Sequence, residues 1–160
     1  MDNGVVLGVV LFWEDVAEGS DIPPLAKQPT TRQLVEYAAA SGDFYEIHYD
    51  KDFALAAGLK GVILHGALRQ AFVAQLITDW IGEHGTLKSL KCQYRGMDSP
   101  GDTLTCKGKV TSKRADGHRY YVECETWIEG ARGERTTVGS AIVLLPSRAD
   151  PLSLIHPNAW

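Results

Sequence analysis

Two patterns of hydrophobic and polar positions divide the chain. Helical spacing dominates the first half: it predicts a helix over residues 31–40, whose apolar side carries Leu34, Tyr37 and Ala38, and a short helix over residues 51–57. Residues 66–81 follow, with hydrophobic side chains around most of the helical circumference, a pattern typical of a buried helix. From residue 87 the pattern alternates with period two and predicts strands at about 87–95, 102–114, 119–129 and 134–145.

Local signals set the ends of these helices. Thr30 and Gln33 form the pattern of a capping box, in which a hydroxyl accepts a backbone N–H and the glutamine reaches back. Gly42 is a natural stop for the first helix. Asp50 can cap the short helix, which Gly58 ends.

The remaining segments complete the predicted architecture. The β-branched segment Val5–Trp13 predicts one more strand, and residues 15–29, with three prolines, predict a loop. Helices followed by an antiparallel meander indicate an α+β fold, with the sheet wrapped around the long helix. We expect a single domain over residues 1–146 and an irregular, proline-containing tail over 147–160. That tail carries apolar residues that need cover from a partner subunit, namely Leu152, Leu154, Ile155 and Trp160.

Composition narrows the function classes. A length of 160 residues fits one domain and is enough to bury a hydrophobic core. The net charge of −4 gives no indication of a basic surface that would bind nucleic acid. The start of the chain lacks the basic segment of a signal peptide, and Val5–Trp13 is too short to span a membrane. Three widely spaced cysteines fit reduced thiols in a cytoplasmic protein better than a disulfide framework.

Asp43 and His48 are the candidate catalytic residues. Five residues apart, they would point about 140° apart on a continuous helix, so they converge only if residues 43–48 form a turn, which Gly42 permits. An Asp–His pair that shares a water molecule is a general acid/base device near neutral pH. Gly66, at the predicted start of the long helix, has a free backbone N–H that can stabilise a carbonyl oxygen as it gains negative charge.

Other interpretations of these residues stay open. Asp43 and His48 could be ordinary hydrogen-bonding groups of a polar loop, His65 a buried structural histidine, and Gly66 a tight packing point. A metal site is a further alternative, but no spacing matches a known metal-binding loop, so we expect none. The acidic and histidine residues considered for it are Asp43, Glu46, His48, Asp50 and Asp52.

A long motif in this segment resembles the MaoC-like, or R-specific enoyl-CoA hydratase, family. The similarity also includes the Thr-capped helix, the Gly-Val-Ile approach to the long helix and the Pro-Gly-Asp-Thr-Leu turn at residues 100–104, and it covers roughly residues 12–146. The motif reads Ser41-Gly42-Asp43-x-x-x-Ile47-His48-x-Asp50-x-x-Phe53-Ala54, followed by His65-Gly66-x-Leu68.

The resemblance implies a hot-dog fold, with a sheet wrapped around a central helix and subunits paired through their sheets. It implies reversible addition of water to a 2-enoyl thioester, giving an R-3-hydroxyacyl product, with Asp43 and His48 catalytic. Gly66 would donate to the thioester oxygen, with His65 and Tyr45 in the same oxyanion and substrate-binding region. No metal or organic cofactor is expected, coenzyme A being part of the substrate. The resemblance further implies a homodimer or higher oligomer, or a heterodimer.

One departure from the family pattern affects the turn. The family commonly has Asn-Pro where this chain has Tyr45-Glu46, so the turn loses the fixed φ of proline, and Glu46 adds an ionisable group. These differences suggest a bulkier or more polar acyl group, or a weakened site. Two other functions therefore remain as alternatives: a non-catalytic, acyl-thioester-binding partner subunit, and a hot-dog thioesterase.

Overall fold

The computed structural model describes residues 10–150, in which three α-helices precede most of a five-stranded sheet. Two single-turn 3₁₀ helices lie at Trp13–Asp15 and Glu46–His48. No helix in this range is long and apolar enough to cross a bilayer. In chain order the elements are β1 (Asp21–Lys27), α1 (Thr31–Ser41), α2 (Lys51–Ala56), α3 (Gly66–Ile81), β2 (Thr86–Tyr94), β3 (Leu104–Asp116), β4 (Arg119–Glu129) and β5 (Arg135–Leu144).

The sheet has the order β1-β3-β4-β5-β2, with every neighbouring pair antiparallel. Helix α3 contacts all five strands, so the sheet wraps around it. The inward positions of β4 alternate as predicted: Val122, Cys124, Thr126 and Ile128 are buried against the helix. They meet the buried side of α3, which includes Phe72, Val73, Leu76, Ile77 and Ile81. The predicted α+β, hot-dog architecture is confirmed.

The segment predicted as a loop at residues 15–29 contains strand β1, so that prediction was wrong. Pro23 and Pro24 had argued against a strand because proline cannot donate to a ladder. β1 lies at the edge of the sheet and pairs only with β3, and its register shifts between Ile22 and Leu25, on either side of the two prolines. An edge position and a bulge are the two settings in which a strand tolerates proline.

The strand predicted at Val5–Trp13 falls largely outside the described residues, and its end is not a strand. Trp13 begins a 3₁₀ helix, and its backbone N–H donates to the Pro146 carbonyl at 2.8 Å. The Trp13 ring packs under the Lys113 ammonium at 4.0 Å, and its indole N–H donates to the Tyr121 carbonyl at 3.1 Å. These tertiary contacts determine the local conformation here.

The predicted helix ends are confirmed. The Thr30 hydroxyl accepts the Gln33 N–H at 3.2 Å, although no reciprocal bond from the Gln33 side chain is found in the described part of the chain. Gly42 ends α1 with φ of 75°, a left-handed conformation that suits glycine. The Asp50 carboxylate accepts the Asp52 and Phe53 N–H groups, both at 2.9 Å, and so caps α2.

A buried ion pair joins the first turn of α3 to the segment after β2. The guanidinium of Arg69 lies 3.1 Å from the Asp98 carboxylate and also donates to the Gly96 carbonyl at 2.7 Å. Both side chains are buried, at 7% and 2% exposure. The Leu64 N–H donates to the Asp98 carbonyl at 2.9 Å, so this pair also lies beside the approach to α3. The apolar pattern of the helix does not specify which residue pairs with Arg69.

Removing one member of this pair should destabilise the protein strongly. Asp98→Leu leaves the Arg69 charge buried without a carboxylate, which typically costs about 3–5 kcal/mol in the free energy of unfolding. The double variant Arg69→Met/Asp98→Leu should recover much of that loss, because no unpaired charge remains. Arg32→Met, which breaks the exposed pair with Glu36, is the control and should change little. Denaturant unfolding measures all three, and equal losses for the single and double variants would contradict the expectation.

Candidate active site

The turn predicted between Asp43 and His48 exists. After Gly42 the chain leaves α1, passes through the extended residue Tyr45 and closes into the 3₁₀ turn Glu46–His48, in which the His48 N–H donates to the Tyr45 carbonyl at 3.1 Å. The Tyr49 hydroxyl also donates to the Phe44 carbonyl at 3.0 Å. This path brings Asp43 and His48 to one place, with side-chain ligand atoms of Asp43, His48 and His65 within 4.8 Å of one another.

His48 is held by a backbone carbonyl. Its Nδ1 lies 2.8 Å from the Ile63 oxygen, and because a carbonyl only accepts, Nδ1 carries the proton. In the neutral ring, Nε2 is then the unprotonated nitrogen, with no acceptor or donor among the described residues. The Ile63 N–H returns a bond to the Ile47 carbonyl at 3.1 Å, so two bonds fix this turn to the segment before α3. A buried imidazole with one free nitrogen is suited to accept a proton.

The imidazole ring of His65 stacks on the ring of His48. The two rings are stacked, with centroids 3.8 Å apart and planes inclined by 23°, and the His65 side chain has no exposed surface. Its Nε2–H donates to the Asp43 carbonyl at 3.2 Å, and the Tyr37 ring packs at 5.0 Å. Burial and the neighbouring His48 lower the pKa of His65, and they outweigh the opposing influence of Asp43.

Gly66 is the first residue of α3, as predicted, and follows His65 directly. Its N–H has no acceptor in residues 10–150, as expected for the first turn of a helix. A Cβ at this position would lie 2.7 Å from the Tyr94 ring, so only glycine fits there without displacing that ring. The Tyr94 ring, in turn, lies under the Arg69 guanidinium at 4.9 Å. A free N–H at a helix N-terminus is suited to an oxygen that gains negative charge.

Asp43 is the exposed member of the group, and its backbone N–H donates to the Ser41 hydroxyl oxygen at 3.3 Å. The proximity of Asp43, His48 and His65 also matches a minimal set of metal ligands. The two imidazoles, however, are nearly parallel and stacked, so their free lone pairs do not converge on one point. The arrangement therefore favours proton transfer over metal coordination as the use of these residues.

Exposed aromatic side chains surround the pair. Tyr45 is 53% exposed and meets His48 edge-on at 6.4 Å and Phe53 at 5.9 Å. Phe44 and Tyr49 form another edge-on pair at 6.4 Å. Glu46, the other half of the departure from the family pattern, is exposed, so water screens its charge.

The sequence predicted Asp43, His48, Gly66, His65 and Tyr45 as site residues. The structure brings Asp43, His48 and His65 together, with Gly66 directly after His65 and Tyr45 against His48. The sequence analysis did not predict that the Tyr94 ring packs against Gly66, nor that Arg69 and Asp98 form a buried ion pair. An arginine inside an otherwise apolar helical pattern was the one signal that could have indicated the ion pair.

A family model described as a MaoC-like domain matches residues 19–129, which is more than half of the chain. This chain belongs to the MaoC-like dehydratase family. Its likeness to the R-specific hydratases, expected from the motif, is confirmed at the level of the family.

Individual relatives of this MaoC-like chain are hydratases. It is 30% identical over 94 residues to the 3-oxo-4,17-pregnadiene-20-carboxyl-CoA hydratase beta subunit of Mycobacterium tuberculosis, covering 59% of this chain and 73% of the relative. It is 27% identical over 143 residues to the (R)-specific enoyl-CoA hydratase of Rhodospirillum rubrum, covering 88% and 95%. The solved (R)-hydratase of A. caviae involved in PHA biosynthesis superimposes with a TM-score of 0.75 at 25% identity, covering 83% and 99%.

The lowered pKa of His65 predicts a pH-dependent stability. Below the ordinary histidine value of about 6.5 the unfolded chain binds a proton that folded His65 does not, so stability is full above that pH and declines as pH falls. The free energy of unfolding of the wild type should therefore drop more between about pH 7.5 and about pH 5.5 than that of His65→Gln.

Exposed His84 gives the matched control, since His84→Gln should keep the wild-type pH dependence. Denaturant unfolding at both pH values makes the comparison. If the two glutamine variants respond to pH alike, burial of neutral His65 is not what couples stability to pH.

Proposed function

We propose that this MaoC-like chain adds water reversibly across the 2,3 double bond of an enoyl thioester to give an R-3-hydroxyacyl thioester. One observation carries the proposal: a carboxylate oxygen of Asp43 and a ring nitrogen each of His48 and His65 lie within 4.8 Å of one another, and His65 directly precedes the unpaired N–H at the start of α3. Similarity to (R)-specific enoyl-CoA hydratases supports it. Acyl-coenzyme A is the substrate class, and no metal or organic cofactor takes part.

The reaction begins with the thioester oxygen at the Gly66 N–H. Conjugation delivers negative charge to that oxygen as water attacks C3, and the positive end of α3 stabilises the charge most strongly in the transition state. The N–H thus acts as the oxyanion donor, without any side chain at position 66.

His48 takes the first proton. Its Nδ1–H is committed to the Ile63 carbonyl, so Nε2 is the nitrogen that can accept a proton from water as the oxygen attacks C3. Asp43 orients the same water and stabilises the imidazolium that forms. The Asp43–His48 pair then returns a proton to C2 on the same face, so each residue ends the cycle in the protonation state in which it began.

Tyr45 and its aromatic neighbours line the acyl side of the site. Their exposed faces offer an apolar surface beside His48, in keeping with an acyl group bulkier than a short straight chain.

A second candidate function is a subunit of a heteromeric hydratase. A relative is named as the beta subunit of such an enzyme, and the exposed aromatic side chains around residues 44–55 offer a surface for a partner. A homodimer or higher oligomer formed through the sheets is the simpler assembly. Sedimentation of the purified chain alone distinguishes the two, because a homodimer assembles without any other chain whereas a subunit of a heteromer sediments as a monomer.

Asp43→Asn should lower the rate of hydration about 10²–10⁴-fold, because the amide keeps the shape of the carboxylate but carries no charge. The assay follows the loss of the conjugated thioester absorbance with short and medium-chain 2-enoyl-CoA. Asp52→Asn is the control, since Asp52 is an exposed carboxylate on the neighbouring helix α2.

A folded Asp43→Asn protein with full activity would remove Asp43 from the mechanism. Thiol release measured in the same reactions separates hydration from thioesterase activity. If the wild type releases thiol without consuming the double bond, the hydratase proposal is wrong and the thioesterase alternative is correct.

A further inference from the structure

The buried side chain of His65 contacts both Asp43 and His48, the two members of the acid/base pair. One ring nitrogen donates to the backbone carbonyl of Asp43, and one ring face lies against His48 at 3.8 Å. The residue is also the last one before α3, so its backbone precedes the Gly66 N–H directly. A single buried residue thus contacts Asp43 and His48 through its side chain and adjoins Gly66 through its backbone.

The protonation state of His65 follows from its surroundings. Nε2 faces a carbonyl and must carry the proton, while Nδ1 is buried with no hydrogen-bond partner among the described residues. A second proton on Nδ1 would create a buried donor without an acceptor, in a ring stacked on another imidazole with centroids 3.8 Å apart. The titratable groups that face the ring are Tyr37 from α1 and Asp43 and His48 from the turn.

We propose that His65 is a neutral positioning residue that holds the turn carrying Asp43 and His48. The inference rests on the proposed hydratase function for its kinetic consequence, but its structural part does not. The Nε2–H bond fixes where the Asp43 backbone lies, and the ring supports the face of His48. Since His65 stays neutral, His48 is the imidazole of the stacked pair that exchanges protons with the substrate water.

Two substitutions separate the hydrogen bond from the stacked ring. His65→Gln places an amide N–H near the position of Nε2 and removes the ring, whereas His65→Phe keeps a flat ring and removes the donor. We expect His65→Phe to lower kcat about 10²-fold with little change in KM, because a small displacement of catalytic groups is costly for the chemical step. We expect His65→Gln to recover most of that loss.

Phenylalanine is larger than histidine and could strain this buried position, so His65→Leu provides a second variant without a donor. Thermal unfolding establishes the folded fraction of each variant, and kcat is expressed per folded molecule. A merely structural role would lower stability in all three variants and leave that kcat unchanged. Either that result or equal losses of kcat in the Gln and Phe variants would overturn the proposal.

Hydrogen exchange gives a readout that does not depend on activity. The amides of His48, Tyr49 and Asp50 donate within the turn, to Tyr45 or Glu46, so their exchange reports its order. They should exchange faster in the Phe and Leu variants than in the wild type, and at nearly the wild-type rate in His65→Gln. Unchanged exchange in all variants would show that His65 does not hold the turn.

The two proposals fail in different ways. If the wild type hydrates no enoyl-CoA, the proposed function is wrong, and the exchange rates still decide the role of His65. If the wild type is active but the Phe and Leu variants match it in kcat and exchange, the hydratase proposal stands and the positioning role is wrong.

Discussion

Helix α3 must bury its apolar side, and the sheet is arranged to cover that side, while the opposite side stays exposed at Ala67, Gln70, Ala71, Gln75, Thr78 and Asp79. Five antiparallel strands contact it, and the inward residues of the sheet form one continuous core with it. Like any α-helix, α3 has free N–H groups at its first turn. In this protein that turn begins at Gly66, beside the turn that carries Asp43 and His48. The requirement to bury an apolar helix therefore also places an electropositive helix end at the candidate site.

One short segment connects the two halves of that site. Ile63 accepts a bond from the His48 ring and donates one to the Ile47 carbonyl, while Leu64 donates to the Asp98 carbonyl. Residues 63–64 thus tie the acid/base turn to the segment that carries the buried partner of Arg69. Because these bonds are consecutive in the chain, a shift on one side of the segment displaces groups on the other. The Arg69–Asp98 pair, despite its desolvation cost, fixes the outer end of this connection.

Local signals predicted much of the fold, because they act within a few residues. Periodicity identified α3 with its exact ends, and Thr30, Gly42 and Asp50 marked helix boundaries through bonds to near neighbours. Strand β1 was not predicted, because a strand tolerates two prolines only at an edge position, and that position is a property of the assembled sheet. Residues 151–160 of the tail predicted over 147–160, and residues 5–9 of the first predicted strand, lie outside the described residues. Single-domain organisation over 1–146 remains a prediction.

In the candidate site, too, the sequence predicted the features that depend on residue type and short spacing and missed those that depend on tertiary contacts. The residue types of Asp43 and His48 indicated acid/base chemistry, and Gly66 indicated a backbone donor, since these inferences use only spacing and chemistry. The stack of His65 on His48 joins residues 17 apart in the chain, and neither periodicity nor a local motif encodes it. The ion pair of Arg69 and Asp98 spans 29 residues and is equally invisible to local rules.

The turn between Asp43 and His48 illustrates how tertiary contacts can replace a covalent constraint. Proline restricts the backbone before folding begins, which typically stabilises a compatible turn by about 0.4–1 kcal/mol. With Tyr45-Glu46 in its place, the chain must restrict the turn after folding. The bonds that do so come from His65, from Ile63 and from the Tyr49 hydroxyl, and two of these three residues lie outside the turn. The geometry of the acid/base pair is therefore a property of the packed core around the start of α3, and it depends on that core more than it would in a chain whose turn contains proline.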